Sequence, residues 1–530
     1  MEKIATDIYT FEHLRQGGYV YVDKTDLLWR LVAETEGRQF FISRPRRFGK
    51  SLMLSTLKCI FEGKRKLFKG LKIEKKRWDW KKTWPVVMLN MAEVTASSVD
   101  ELREGLIDTV DGLVKDFGLA DVARLSNPGK YLGNFFKALA AARGEFVVLV
   151  DEYDVPLQGV LDNHAALVRV RKLMHDFYIQ LKNHESNIRF LMLTGVTKLT
   201  KVSVFSGLNH LRDLTMKFPD YATLLGYTPE EIAKFFPRRL DALAKKHKTN
   251  RKGALKLLLD WYDSYRFSNL SEARVCNPIS IGLALATGAL QSYWVGTAAA
   301  TLVMERIAAA NKSPADFEGC TATVEELDLC EATELPAKSL MYQSGYLTIK
   351  GLSETEVDEI GNPKLILGAP NHEVRGAIRA GWFSGFLKVP ADDFDALVDT
   401  AKRQIAEGNI KGLLYESLFG LYSKLPPTWR VKDEAEAKRY FLLFMRMAGA
   451  NPQPEVASLL GYADAIIETP KFVWVFEFKF NKSAKAAIRQ IREKGYADPY
   501  KGDKRPVTLV GINYRAAKRN IDEPAFECRT

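Results

Sequence analysis

Three groups of residues in this chain have the types and spacing to do chemistry. The first is Gly49-Lys50-Ser51, which closes the basic run Arg44-Pro45-Arg46-Arg47-Phe48 just ahead of a helical pattern. Backbone N–H groups at a helix start point at anionic oxygens, and the helix dipole adds to them, so this loop suits phosphate. Lys50 would reach the β- and γ-phosphates of ATP, and the Ser51 hydroxyl would ligate Mg²⁺. The second group is Asp151-Glu152, directly after the apolar run Phe146 to Val150. There Asp151 can hold the hydrated Mg²⁺ and Glu152 can polarise a water. The third is Asp464 with Glu477-Phe478-Lys479. Paired carboxylates bind Mg²⁺ through oxygen, as that hard cation prefers. The metal activates water and stabilises charge on the phosphorane, while Lys479 orients the nucleophile or neutralises the developing charge. The first two groups describe nucleotide hydrolysis, the third phosphodiester cleavage.

Each group needs elements to hold it. Gln39 to Ser43 reads as a short strand feeding the loop, and Leu52, Leu54, Leu57, Ile60 and Phe61 recur at helical spacing after it. Arg44 stands where a phosphate loop usually opens with Gly, so the loop entrance must take another shape. Phe146 to Val150 reads as a strand buried on both faces, as in a parallel sheet. Ile188 to Leu193 is a further strand, and Thr194 or Thr197 at its end is placed to sense a γ-phosphate. Pro85 to Asn90 is another buried-type strand, and Tyr19 to Thr25 reads as a short strand and turn before a helix from Asp26 to about Ala33. Apolar strands separated by helical stretches fit a three-layer α/β fold with ligand at the strand C-termini.

Thr228-Pro229-Glu230-Glu231 forms a capping box and opens a mainly helical region running to about residue 345. A hairpin of Tyr346–Ile349 and Lys364–Leu367 around an acidic loop then suggests a winged-helix-like lid. The double proline Pro426-Pro427 marks a boundary. The expected division is therefore 1–225, 226–427 and 428–530. In the last part, Gly461–Glu468 and Phe472–Lys479 read as adjacent strands. Alternation puts Glu477 and Lys479 on one face and Phe476, Phe478 and Phe480 on the other.

The whole chain of 530 residues, 46% hydrophobic and 27% charged, has the composition of a soluble globular protein of several domains. No apolar run approaches the roughly 20 residues that span a bilayer, and the first residues lack the apolar core of a secretory signal. The five cysteines are scattered, without a Cys-x-x-Cys pair, which argues for a reducing cytoplasm and against zinc. A net charge of +12 favours a polyanionic partner. Trp78 and Trp80 lie among the lysines of residues 64–82 and Trp84 just beyond them, where aromatics either stack bases or anchor a surface loop.

Taken together, these blocks resemble the AAA-ATPase-like family fused to a PD-(D/E)xK nuclease-superfamily domain. Arg44-Pro45-Arg46-Arg47-Phe48-Gly49-Lys50-Ser51, Val150-Asp151-Glu152-Tyr153-Asp154, Thr194-Gly195-Val196-Thr197-Lys198 and Phe205-Ser206-Gly207-Leu208-Asn209 carry the first half. Pro370-Asn371-His372-Glu373-Val374, Glu477-Phe478-Lys479 and Gln490-Ile491 carry the rest. The arginine-rich loop is how this family writes its P-loop; Tyr462 departs from the family, which often has a basic residue after the glycine. The resemblance implies a P-loop ATPase domain, a helical and winged-helix-like middle, and a C-terminal restriction-endonuclease-like α/β domain. It also implies a Glu from the first helix of the nuclease domain, best matched by Glu434, with Gln490 nearby. ATP and Mg²⁺ are the expected cofactors, and nucleic acid, DNA ahead of RNA, the expected partner. No membrane partner is expected, and homo-oligomer formation is left open. Two other readings stand beside an ATP-regulated nuclease. One is a nucleotide-switched signalling ATPase whose nuclease-like domain only binds nucleic acid or a partner. The other is a substrate-remodelling machine that uses this domain as an adaptor.

Overall fold

Buried strands dominate the first part of the chain because runs such as Phe146–Val150 are apolar at every position and pack on both faces. A computed structural model describes residues 2–33, 37–94, 98–158, 160, 164–198, 211–294, 303, 307, 314–328, 336–381, 391–425, 431–458 and 461–529. These fall into two compact units, one of residues 1–306 and 317–377, the other of 307–316 and 378–530.

The first unit is built on a parallel five-stranded sheet of β1 (Gln39–Ser43), β2 (Val86–Asn90), β3 (Phe146–Asp151), β4 (Ile188–Gly195) and β5 (Arg212–Asp213), in the order β2-β3-β4-β1-β5. Helix α1 (Thr25–Val32) precedes the sheet, and α2 (Lys50–Phe61) follows β1. On one face α2 presents Phe61, whose ring lies 5.1 Å from that of Phe190 on β4. On the other, α3 (Val99–Phe117), α4 (Pro128–Arg143) and α5 (His164–Asn183) enclose a core with Phe41, Val87, Val148, Val150, Leu191 and Leu193. Adjacent strand residues thus serve opposite layers, as alternation requires, and the three-layer α/β expectation holds. Because β4 lies between β1 and β3, the loop after β1 opens beside the ends of β4 and, one strand further, β3.

The middle of the chain supplies helices Pro229–Phe235, Pro237–Lys246, Arg251–Tyr262 and α6 (Pro278–Thr287). They share a core with Val22. Thr228 and Glu231 make the expected capping box, side chain to backbone in both directions. Then α7 (Ala337–Ser344) leads into a three-stranded antiparallel sheet, β6 (Thr321–Ala322), β7 (Thr348–Val357) and β8 (Pro363–Gly368), in the order β6-β8-β7. The hairpin forms as expected, with Asp358 and Glu359 in its loop, while Glu354 and Glu356 lie within β7. Helix α8 (His372–Gly381) follows.

The strand expected over Tyr19–Thr25 is absent. Val20 N–H donates to the Lys3 carbonyl at 2.9 Å, but no ladder forms among the described residues. Asp23 accepts from Thr25 N–H at 2.9 Å and from the Thr25 hydroxyl at 2.6 Å, which starts α1 at once. The Phe205–Asn209 motif and Pro426-Pro427 lie outside the described residues.

In the second unit, α9 (Glu434–Met447) leads into a mixed sheet of β9 (Gln453–Ser458), β10 (Gly461–Glu468), β11 (Val473–Phe480), β12 (Val507–Arg515), β13 (Asn520–Ile521) and β14 (Ala525–Arg529). The spatial order is β13-β12-β11-β10-β9, with β14 also paired to β12. β10 runs antiparallel and β12 parallel to β11. Phe441 of α9 packs on Phe476 and Phe478, with ring centroids 4.8 and 5.0 Å apart. Helix α10 (Ala484–Glu493) sets Ile488 and Ile491 in a core with Val473 and Val475. The period-2 reading of β11 is therefore correct. Among the described residues, no helix is long and apolar enough to cross a membrane.

Candidate active sites

The phosphate loop runs from the end of β1 into α2. Gly49 caps the helix with φ of 93°, a conformation open to glycine. Lys50 is buried, and its ammonium donates back to the carbonyls of Arg44 at 2.8 Å and Pro45 at 3.0 Å. This fixes it at the mouth of the loop. Burial pulls the Lys50 ammonium below its usual range, opposed by the carboxylates of Asp151, Glu152 and Asp154. Ser51 follows as the second residue of α2, half-buried.

The three arginines of the loop go three ways. Arg44 is 1% exposed; it donates to the carbonyls of Ser43 and Thr215 at 2.9 and 2.8 Å and lies over the Phe267 ring at 4.3 Å. Burial brings its guanidinium down to about 10. Arg44 thus replaces the usual opening glycine by turning inward and becoming part of the wall. Arg46 sends its charge toward Glu152 and Lys50. Arg47, in the left-handed region at φ of 68°, donates to the Tyr293 carbonyl at 2.9 Å. Pro45 and Phe48 pack against the middle of the chain: Phe48 meets Tyr265 and Phe267 at 4.9 and 5.3 Å. A Cβ on Gly345 would come within 2.8 Å of Pro45.

Across the strand ends, Asp151 accepts from the Thr194 hydroxyl at 2.6 Å, and Glu152 is half-buried with φ of 52°. Burial and the neighbouring Asp151 and Asp154 push the Glu152 carboxyl up, against the pull of Lys50 and Arg46. The Thr197 hydroxyl donates to the buried Asp154 at 2.6 Å. The tertiary structure therefore joins Thr194 to the acid on β3 and ties Thr197 into the turn that follows.

Glu373 lies in the Pro370–Val374 motif, whose spacing alone assigns it no role. It is 1% exposed and accepts from Tyr293 N–H at 2.6 Å, Trp294 N–H at 2.9 Å and the Ser280 hydroxyl at 2.8 Å. Ser280 N–H in turn donates to Asn277, whose side-chain amide donates to the Arg46 carbonyl at 3.3 Å. Both attachments of the arginine-rich loop, at Asn277 and Tyr293, thus lead to one buried carboxylate.

In the second unit, three elements bring their acids together. Glu434 opens α9, Asp464 lies in β10 and Glu477 in β11, and one oxygen from each lies within 4.8 Å of the others. Asp464 accepts from the Phe478 N–H at 2.7 Å, which aims its carboxylate across to β11. Lys479 donates to Glu477 at 2.8 Å, to the Phe478 carbonyl at 2.6 Å and to Glu434 at 3.4 Å. Burial and the charge of Asp464 push Glu477 up to about 7, partly offset by Lys479. Burial acts to lower Lys479, but Glu477, Glu434 and Asp464 outweigh it and keep the ammonium above its usual range. Glu477 Oε2 is buried with no hydrogen-bond donor. An orphaned carboxylate oxygen beside two more acids is a donor set that fits a hard divalent cation.

Gln490 is placed differently: its amide donates to the Tyr496 hydroxyl at 3.2 Å, beside Gly461 rather than among the acids. Tyr462 is exposed. The sequence reading missed Lys438, one helical turn beyond Glu434 on α9, which donates to Asp464 at 3.2 Å and to Glu455 at 3.5 Å. The signal was the i, i+4 spacing of Glu434 and Lys438 on one helix face.

A family model described as AAA-ATPase-like, predicted AAA-ATPase, matches residues 5–205, and one for the PD-(D/E)XK nuclease superfamily matches residues 432–524. An uncharacterised protein in the vnfD 5′ region of Azotobacter chroococcum mcd 1 is 30% identical over 531 residues, covering 98% of each chain. Solved structures of the Aeropyrum pernix ORC1 protein in complex with DNA and of its ORC2 protein with ADPNP and ADP each share 10% identity. The first covers 68% of this chain and 91% of its own at a TM-score of 0.24, the second 70% and 98% at 0.25. With both constellations inside the matched stretches and a relative 30% identical across 98% of the chain, the chain belongs to the AAA-ATPase-like family and bears a PD-(D/E)XK nuclease-superfamily domain at its C-terminus.

Proposed function

We propose that this protein binds and hydrolyses ATP with Mg²⁺ in its first unit and cleaves nucleic-acid phosphodiesters with a divalent cation in its second. The observation that carries the nuclease reading is the convergence of Glu434, Asp464 and Glu477 from three elements, with Glu477 Oε2 left without a donor. A cation bound there would supply Lewis acidity to the scissile phosphate and acidify a water. Asp464, held by the Phe478 amide, and Glu477 would keep their oxygens toward it. Lys479, fixed by Glu477 and the Phe478 carbonyl, would meet the negative charge that develops on the phosphate. In the first unit, Lys50 and the α2 amides would hold the phosphates, Asp151 and Ser51 the Mg²⁺, and Glu152 the attacking water. In this reading residues 1–225 bind nucleotide, 226–427 transmit its state and 428–530 cut.

The test is incubation of purified protein with plasmid, linear duplex, single-stranded DNA and RNA, with and without Mg²⁺, Mn²⁺ and ATP. Metal-dependent cleavage that is lost in Asp464→Ala and Glu477→Gln is expected, with DNA cut in preference to RNA. No cleavage of any substrate under any of these conditions would end the nuclease reading. A second reading is favoured by one contact: Lys438 already sits on Asp464 at 3.2 Å. If that ammonium holds the place of a cation, the domain binds nucleic acid without cutting it, and titration with Mn²⁺ would show no uptake.

A further inference from the structure

We propose that residues 64–82 of the first unit form a cationic platform that grips the sugar–phosphate backbone of nucleic acid, separately from the phosphodiester site. The proposal rests on nucleic acid being the partner, but it assigns to the ATPase unit a contact surface of its own.

This segment of nineteen residues carries ten Lys and Arg against two acids, Glu74 and Asp79, so it holds +8 of the chain's net +12. Part of that charge is answered locally: Lys64 pairs with Glu12 and Glu62, and Lys72 with Asp26. Six cations, Arg65, Lys66, Lys69, Lys75, Arg77 and Lys81, are exposed and meet no acid among the described residues.

A charge run on a mobile flank would need no anchoring, yet this one is pinned along its length. Arg15 donates to the carbonyls of Leu67 and Lys69, both at 2.8 Å. The buried Asp23 accepts from Lys72 N–H at 2.7 Å, the buried Thr25 hydroxyl from Ile73 N–H at 3.0 Å, and Trp29 donates to the Arg77 carbonyl at 3.1 Å. Phe68, Leu71 and Ile73 are buried beneath. The cations are therefore presented at fixed positions, from two short 3-10 turns, Arg65–Phe68 and Lys72–Lys75, and from the backbone that joins and follows them. Beside Lys69 opens a groove of about 630 Å³ lined by Tyr19, Tyr21 and Phe235, with Arg15 and Arg238 on it and Glu2 as its one acid.

The aromatic rings decide what is gripped. Trp78 and Trp84 pack on Phe61 at 6.0 and 5.8 Å, and Trp80 on Phe68 at 4.9 Å, so they anchor the platform rather than offer faces to bases. Contact is then with phosphates and independent of sequence. An anionic membrane fits less well, since a membrane-surface element inserts apolar side chains and no large apolar side chain of this segment is exposed.

The test uses the full chain in chelator, so that nothing is cut, and follows anisotropy of a short fluorescent duplex across a salt series. The triple variant Lys66→Ala, Arg77→Ala, Lys81→Ala should lower the slope of log K against log salt by about 2.7 and weaken binding about tenfold. A control triple on the middle helices, Lys245→Ala, Lys252→Ala, Lys256→Ala, should stay within about twofold of wild type. Both triples must keep the wild-type melting temperature, and charge swaps to Gln at the same positions replace any that do not. Platform-dependent binding in chelator, together with no cleavage when Mg²⁺ or Mn²⁺ is supplied, would sink the nuclease reading and leave this proposal standing. Normal cleavage with a platform triple that binds like the control would overturn this proposal alone. Binding to phosphatidylserine vesicles but not to duplex, lost in the same triple, would overturn it in favour of a membrane.

Discussion

At the scale of single residues, the charges at the two sites are set by burial as much as by neighbours. Glu477 is buried against Asp464, so its folded-state carboxyl stands at about 7, above its usual 4.5. A raised pKa means the fold favours the protonated form. That contribution is full below about pH 4.5 and is lost as the pH climbs through about 7. Metal-free protein should therefore show a second-unit melting temperature that falls between about pH 5 and pH 8, and Glu477→Gln should flatten the fall. Differential scanning calorimetry in chelator checks this; an unchanged slope in the variant would remove Glu477 as its source. Adding Mn²⁺ at pH 8 should restore stability, by about 2.7 kcal/mol at a hundredfold excess over Kd, and Asp464→Ala should abolish that gain. In the first unit, Lys50→Ala should eliminate binding of a fluorescent ATP analogue, whereas Glu152→Gln should bind ATP and turn it over at least about a hundredfold more slowly. Wild-type turnover in Glu152→Gln would take that residue out of the water-activating role.

Among elements, the phosphate loop owes its shape to what lies behind it. A loop that opens with Arg44 instead of glycine keeps its entrance out of the left-handed region, and it is propped from outside. Arg44 turns onto Phe267 and two carbonyls, and the Arg46 and Arg47 backbone and side chain reach Asn277 and Tyr293. Glu373 holds the second prop directly, through the Tyr293 and Trp294 amides. Glu373→Ala would leave those two N–H groups without their acceptor, the Trp294 amide fully buried, and should cost about 1–3 kcal/mol in urea unfolding of the first unit. It should also weaken ATP binding. Arg47→Ala, at an exposed side chain, should change stability by about 0.5 kcal/mol or less. Equal stability losses in the two variants would mean that Glu373 has no special hold on the loop.

For the molecule as a whole, the question is whether nucleotide state and nucleic-acid binding are linked. Linkage is reciprocal in free energy: if ATP changes nucleic-acid affinity, nucleic acid changes ATP affinity by the same factor, typically about 5–150-fold. We expect duplex affinity, measured with Mg²⁺ present in the cleavage-deficient Asp464→Ala background, to differ between protein alone, protein with ADP and protein with a non-hydrolysable ATP analogue, and Lys50→Ala to erase the differences. Identical affinities in all three states, with unchanged cleavage by Lys50→Ala, would mean that the two activities are only joined in one chain.

The candidate sites of this protein were legible wherever they depend on residue type at short spacing. Gly49-Lys50-Ser51 before a helix, Asp151-Glu152 after an apolar run and Glu477-x-Lys479 on an alternating strand each carry their meaning within a few residues. The parallel sheet was legible too, because strands buried on both faces must be apolar throughout. What needed the tertiary structure is everything set by contacts distant in the chain. Local spacing cannot show that the Thr194 hydroxyl goes to Asp151 while that of Thr197 goes to Asp154, since β3 and β4 are neighbours only through their pairing. Nor can it show that Gln490 turns to Tyr496, or that Lys438 rather than Gln490 stands beside Asp464. The direction of each loop arginine was equally hidden: three like side chains within four positions take three different surroundings, and only the packed neighbours, Phe267, Glu152 and Tyr293, tell them apart.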